Sequence, residues 1–184
     1  IHLLNMFDFI QDDNFLNDEQ KKFIRNSIFG NSFNWYHMEQ SIETEVSDIL
    51  LSHIVVQRPE HGQSVSKINS DYFKDMLSIL TTFTKKHNIK LNTLLRCSIN
   101  YTFNNGIEKC RIHRDHEFEH KQLLLCLNDP IDKQASTVIL HDDEKTEYKK
   151  IPPKQYQAIC FNNKPHYHFY PKVGHRVMAV YTFT

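Results

Sequence analysis

A chain of 184 residues with 40% apolar content has enough material for one buried core and too little for two domains of ordinary size. Lys and Arg balance Asp and Glu at 22 each, and no basic run exceeds two residues, so the positive stripe that a sequence-blind grip on nucleic acid needs is missing. No apolar run approaches the length of a membrane span, Ile1-His2-Leu3-Leu4 lacks the basic flank and cleavage site of a signal peptide, and the four cysteines show no CxxC spacing. The expectation is a reduced, cytoplasmic protein with no membrane partner.

In chain order, Asn17 is placed to cap a helix with Asp18 and Glu19 in its first turn, Phe23, Ile24 and Ile28 on one side and Gly30 as its stop. Residues 48–57 read as a strand. The polar stretch 58–67, with Pro59 and Gly62, reads as a loop and candidate lid. Ser70 or Asn69 caps a second helix whose stripe of Tyr72, Phe73, Met76, Leu77, Leu80 and Phe83 is packing surface, and Lys85-Lys86-His87 suit its carboxyl end. From residue 91 onward the pattern changes to short strands, expected at 94–103, 111–115, 122–127, 137–140, 157–161 and 177–183. Asn104-Asn105-Gly106, Asn128-Asp129-Pro130 and Asn162-Asn163-Lys164-Pro165 are the turns between them. Short strands at this spacing without helices predict a sandwich or jelly roll.

The chemistry-bearing residues lie in this second half. Residues two apart in a strand point the same way, so His113 and Asp115 reach one ion from one face, and a second imidazole completes the two-His, one-carboxylate set that holds iron(II) with three positions open. His166 is the expected partner; His168 shares its strand parity and His175 lies close by. Arg176 supplies a permanent cation suited to a carboxylate. Glu117 shares parity with Asp115 and reads as a surface carboxylate. His2, His37, His53, His61 and His87 read as surface or satisfied core residues. In 94–103, Arg96, Ser98, Asn100 and Thr102 alternate with Leu95, Cys97, Ile99 and Tyr101. Either face can turn inward. Arg111 has the parity of His113, facing the cavity or an exposed ion pair.

The ordered set His113-x-Asp115, Leu127-Asn128, Ala135-Ser136-Thr137, Pro153-Lys154, Phe161, His166, Pro171, Gly174 and Arg176 resembles the 2-oxoglutarate/Fe(II)-dependent oxygenase superfamily, in particular its small prolyl-hydroxylase-like members. The resemblance spans 92–184 and, loosely, 15–20. It implies a mainly β fold with flanking helices, a double-stranded β-helix (jelly-roll, cupin-like) core, and one domain over 1–184, with 1–90 as helical support and candidate lid and 91–184 as the core. It further implies Fe(II) held by His113, Asp115 and His166, 2-oxoglutarate as cosubstrate gripped by Arg176, and dioxygen. Its register, five residues before Pro171 and ten before Arg176, favours His166 over His168.

Relatives of this type place residues of the strand equivalent to 94–103 near substrate or cosubstrate. If the polar face turns inward, Arg96 and Asn100 are substrate contacts; if the other does, Tyr101 offers its hydroxyl to 2-oxoglutarate. A solvent-facing polar stripe is the third option, and Arg111, by its parity with His113, is a separate candidate substrate contact. The activity implied is hydroxylation of an unactivated carbon in an amino-acid side chain, peptide or small molecule, with release of succinate and carbon dioxide. The alternatives are a nucleobase demethylase of the same superfamily, disfavoured by the neutral charge, and a non-catalytic metal-binding jelly roll. The sequence departs from the family at Tyr156, Ala135 and Met178. The last removes a usual hydroxyl partner for the distal carboxylate, so another donor is required.

Overall fold

The computed structural model describes residues 8–38, 49–59 and 66–184. Its elements are strand β1 (Phe9–Asp12), helix α1 (Asp18–Phe23) running on into a π-helical turn (Ile24–Ile28), β2 (Tyr36–Met38), β3 (Leu50–Gln57), β4 (Lys67–Ile68), helix α2 (Phe73–Lys86), β5 (Leu94–Phe103), β6 (Lys121–Cys126), β7 (Thr137–Leu140), β8 (Glu147–Ile151), β9 (Ala158–Asn162), β10 (His166–His168) and β11 (His175–Phe183). An eight-stranded sheet runs β1-β9-β6-β11-β5-β3-β2 with β4 also on β3, and a three-stranded sheet runs β10-β7-β8. Every pairing is antiparallel. This is the expected jelly-roll class.

Strand alternation sorts the large sheet into two faces. Cys97, Ile99, Leu123, Leu125, Val177, Ala179, Tyr181 and Phe183 point to one side and pack on Phe15, Ile24, Ile28, Met76, Ile79, Leu80 and Phe83 of the helical layer. The other side sends Leu124, Cys126, Ile159, Phe161, Met178 and Val180 towards Ile139 and Ile151 of the small sheet. Because β6 is covered on both faces, its Leu123-Leu124-Leu125-Cys126 run has no polar alternation.

Helix α1 carries the capping box implied by Asn17: its side chain accepts from the Gln20 N–H at 2.9 Å, and the Gln20 side chain accepts from the Asn17 N–H at 3.1 Å. Gly30 stops it for a steric reason, since a Cβ there would lie 2.2 Å from the Asn26 carbonyl oxygen. Helix α2 begins at Phe73 and not directly after Ser70. Ser70 acts one turn earlier, its hydroxyl accepting from the Tyr72 N–H and its carbonyl from the Phe73 N–H, both at 3.2 Å.

The strand expected at 111–115 does not form. Lys109 bridges Phe169 and His113 bridges His166, and the register slips by one residue between these rungs, as in a bulge. Of the candidate lid 58–67, residues 60–65 lie outside the described residues, while Lys67 opens β4. Among the described residues, no helix is long and apolar enough to cross a membrane.

Candidate metal centre and cosubstrate pocket

The bulge brings His113 onto β10. His113 and His166 exchange backbone N–H···O=C bonds of 3.0 Å in both directions, and their rings stand with centroids 4.4 Å apart. Each ring is oriented by a carbonyl two residues earlier: Nδ1 of His113 meets Arg111 O at 2.8 Å and Nδ1 of His166 meets Lys164 O at 3.1 Å. A carbonyl only accepts, so both Nδ1 atoms carry the proton and each Nε2 presents its lone pair, that of His166 also meeting the Gln122 amide at 3.2 Å. Burial, then the neighbouring His113, pushes His166 down to about 3, which keeps the ring neutral, as a ligand must be.

Asp115 completes the cluster. One ligand atom from each of His113, Asp115 and His166 lies within 4.8 Å of the others, and Oδ2 of Asp115 sits 3.6 Å from Nε2 of His166. Burial opposes its charge, but Arg96 first, then His166, His113 and Arg58, outweigh that effect and hold the carboxyl far below the ordinary range. Oδ1 accepts from Arg96 Nη1 and, at 3.3 Å, from Arg58 Nη2; Arg58 Nη1 also donates to the Asp115 carbonyl at 3.0 Å. Oδ2 is buried without any hydrogen-bond partner. Two aligned imidazoles and an orphaned carboxylate oxygen form a donor set that fits iron(II). Gln122, whose amide lies 3.2 Å from Nε2 of His166, occupies the same corner.

The cluster opens into a cavity of about 540 Å³ whose wall includes Arg96, Asn100, Thr102, Thr137, His168, Tyr170, Arg176 and Met178. The polar face of β5 is therefore the inward one. Tyr101 points the other way, stacked on His175 at 4.7 Å and against Trp35 at 5.4 Å, so the expected hydroxyl from Tyr101 to a cosubstrate is corrected. Arg111 is exposed and absent from the cavity wall, and its expected substrate contact is corrected likewise. Asn100 borders the cavity with its Oδ1 held by Ser52 at 2.8 Å. Arg96 borders it too, tied to Asp115.

Arg176 is 4% exposed. Its Nη2 donates to Thr137 Oγ1 at 2.6 Å, its Nε has no partner, and no carboxylate among the described residues pairs with it. Thr137 thus puts a hydroxyl beside Arg176, where Met178 offers none. Directly across the strand pair from Thr137 stands His168, whose Nδ1 lies 3.2 Å from the Cys110 sulfur and whose Nε2 is buried and unpartnered. Sequence reasoning missed Arg58, Thr137 and Gln122 and weighed His168 only as a ligand; Thr137 and His168 were detectable only once their register was known.

No family model matches the sequence, and no curated protein matches it. Solved structures do, through the fold. A 2OG-Fe(II) oxygenase family oxidoreductase from Burkholderia pseudomallei superposes with a TM-score of 0.74 at 12% identity, covering 96% of this chain and 84% of that one. A prolyl hydroxylase from Trichoplax adhaerens, solved with a hypoxia inducible factor peptide fragment, gives 0.61 at 16% identity over 95% and 83%. A viral collagen prolyl hydroxylase from Paramecium Bursaria Chlorella virus-1, solved as a 2OG complex, gives 0.58 at 13% over 98% and 97%. The chain shares the fold of these 2OG-Fe(II) oxygenases.

Proposed function

We propose that this protein is an Fe(II)- and 2-oxoglutarate-dependent dioxygenase that hydroxylates an unactivated carbon of an amino-acid side chain, peptide or small molecule, releasing succinate and carbon dioxide. One observation carries the reading: the orphaned Oδ2 of Asp115 and two carbonyl-oriented imidazoles share a cavity with a buried arginine that pairs with no carboxylate among the described residues. His113, Asp115 and His166 would hold the metal, and Arg176 would bind the distal carboxylate of the cosubstrate. Iron with 2-oxoglutarate and dioxygen supplies the oxidising chemistry. The chain's own part is to fix both imidazoles with Nδ1 protonated through Arg111 O and Lys164 O, to hold Asp115 ionised between Arg96 and Arg58, and to bury the reacting end away from water.

The reading treats residues 1–184 as a single working domain, supported by β1 and β3 of the first half pairing with β9 and β5 of the second. The four cysteines, all buried, form no disulfide, which suits the reducing cytoplasm, the location we propose. The test is stoichiometric: iron-loaded protein supplied with 2-oxoglutarate and oxygen should release succinate, and His113→Ala or Asp115→Ala should stop the release together with iron retention. Iron-loaded protein that neither binds 2-oxoglutarate nor releases succinate would leave the metal-binding scaffold as the reading.

A further inference from the structure

We propose that the substrate carries a carboxylate and that Arg58 and Arg96 receive it at the mouth of the metal centre. This deepens the oxygenase reading and rests on it. The two guanidinium groups, with side chains 19% and 17% exposed, converge on one oxygen of one residue, Oδ1 of Asp115. Each guanidinium has five N–H donors. Among the described residues the pair makes three hydrogen bonds, all to Asp115: two from Arg58, to the carbonyl and Oδ1, and one from Arg96, to Oδ1. None of their nitrogens is sealed off as a buried orphan, and both side chains border the cavity. Their remaining donors therefore face the space where a substrate sits.

Charge accounting points to a site short of negative charge. The cavity wall holds Arg58, Arg96, Arg114 and Arg176 against Asp115 and Glu117. Arg114 is committed to Asp142 at 3.2 Å and to the Asn163 carbonyl. Glu117 is exposed, where solvent screens it. A divalent metal and a doubly charged cosubstrate cancel, which leaves the charge of Arg176 over. Arg58 and Arg96 stand against Asp115 alone, a second surplus, and that carboxylate would also be shared with the metal. Two planar forks with one unmatched charge suit a carboxylate held by parallel hydrogen bonds. Because both arginines rest on Asp115 itself, the oxidised carbon must lie close to that carboxylate, as in an aspartyl or glutamyl side chain or a short free acid.

The experiment uses full-length protein loaded with Mn(II), which does not turn over, and saturated with 2-oxoglutarate so that Arg176 is occupied. Calorimetry then compares acid and amide pairs: acetyl-Gly-Asp-Gly-amide and acetyl-Gly-Glu-Gly-amide with their Asn and Gln counterparts, and free L-aspartate and L-glutamate with L-asparagine and L-glutamine. The peptide and free-acid arms distinguish the two sources of the carboxylate. At least one acid should bind roughly tenfold or more tighter than its amide, the worth of a charge-assisted hydrogen bond. Arg58→Gln should erase that ratio and Arg58→Lys should restore part of it. The ratio is read at equal Mn(II) loading, so partial loss of metal does not imitate the effect; Arg96→Gln is read in the same way, and the Arg58 variants decide the matter if it fails to fold. Acids and amides that bind alike, no binding by any acid, or an Arg58→Gln protein that keeps the preference would overturn the proposal while 2-oxoglutarate binding stands. Failure of 2-oxoglutarate to bind would strike the oxygenase reading, and this one with it.

Discussion

Arg176→Met separates the cosubstrate role from a structural one. The guanidinium is 4% exposed and its polar partner among the described residues is a neutral hydroxyl, Thr137 Oγ1 at 2.6 Å. Burial lowers its proton affinity, opposed only by the thiols of Cys126 and Cys110. A buried cation compensated by neutral groups costs stability in the ligand-free protein, so a methionine of similar length should leave the apoprotein melting at or above the wild-type temperature. The ligand response should move the opposite way. Losing one partner of a desolvated charge pair costs about 3–5 kcal/mol, at least about a hundredfold in affinity. Wild-type protein at a hundred times Kd gains about 2.7 kcal/mol, a rise in Tm of roughly 5–10 °C for a chain of this size. Thermal melts with Mn(II), with and without 2-oxoglutarate, read both effects together. A variant that unfolds, or that keeps the ligand-induced rise, refutes the assignment and makes Arg176 a structural residue.

Asp115→Ala should lose metal and also stability, by about 3–5 kcal/mol, because it strips the shared counter-ion from Arg58 and Arg96; elemental analysis and denaturant unfolding check the two effects. His166→Ala should abolish metal retention while His168→Ala keeps the metal and weakens 2-oxoglutarate binding about tenfold, the loss of one hydrogen bond to a charged group. Calorimetry decides, and the reverse pattern would move the ligand two residues along β10. At the far end of the molecule, burial raises the Asp12 carboxyl, but Lys86, the Asn14 N–H and His87 together hold it below 3.8. A depressed folded value gives stability that is present above 3.8 and lost as pH falls through the folded value. Asp12→Asn should therefore flatten the acid limb of the Tm profile below about pH 4 without changing Tm at pH 7 by more than the surface-pair range of about 1 kcal/mol.

The strands that were legible are those whose burial imposes a pattern. β5 and β7 lie where alternation and apolar runs put them, and β6, β9 and β11 differ only at their ends. β8 escaped because Glu147-Tyr148-Lys149-Lys150 sits at the edge of the small sheet and is largely solvated, so no apolar period marks it. β10 escaped for a different reason. His166-Tyr167-His168 is three residues long and its side chains answer to the cavity, not to a core. Local pattern reports packing, and it falls silent where a strand exists to hold chemistry.

The same division explains the site. His113 and Asp115 were readable from strand parity, and His166 and Arg176 from the ordered set that carries the family resemblance. The bulge that meets β10 replaced the expected strand without undoing the convergence, since His113 still bridges His166. The residues around them answer to tertiary register alone. Arg58 comes from the end of β3 and reaches Asp115 only because β3 pairs with β5, which carries Arg96. Thr137 stands opposite His168 across β7 and β10 while Arg176 arrives from the other sheet. Met178 is the instructive case, because its departure from the family pattern posed the right question and gave no answer. Thr137 brings a hydroxyl to Arg176 where position 178 has none, and the orphaned Nε2 of His168, whose Nδ1 meets Cys110, borders the same cavity. Arg176 on β11 thus meets Thr137 of β7, with His168 of β10 directly across from it, a relation that register between the two sheets creates and no local pattern records.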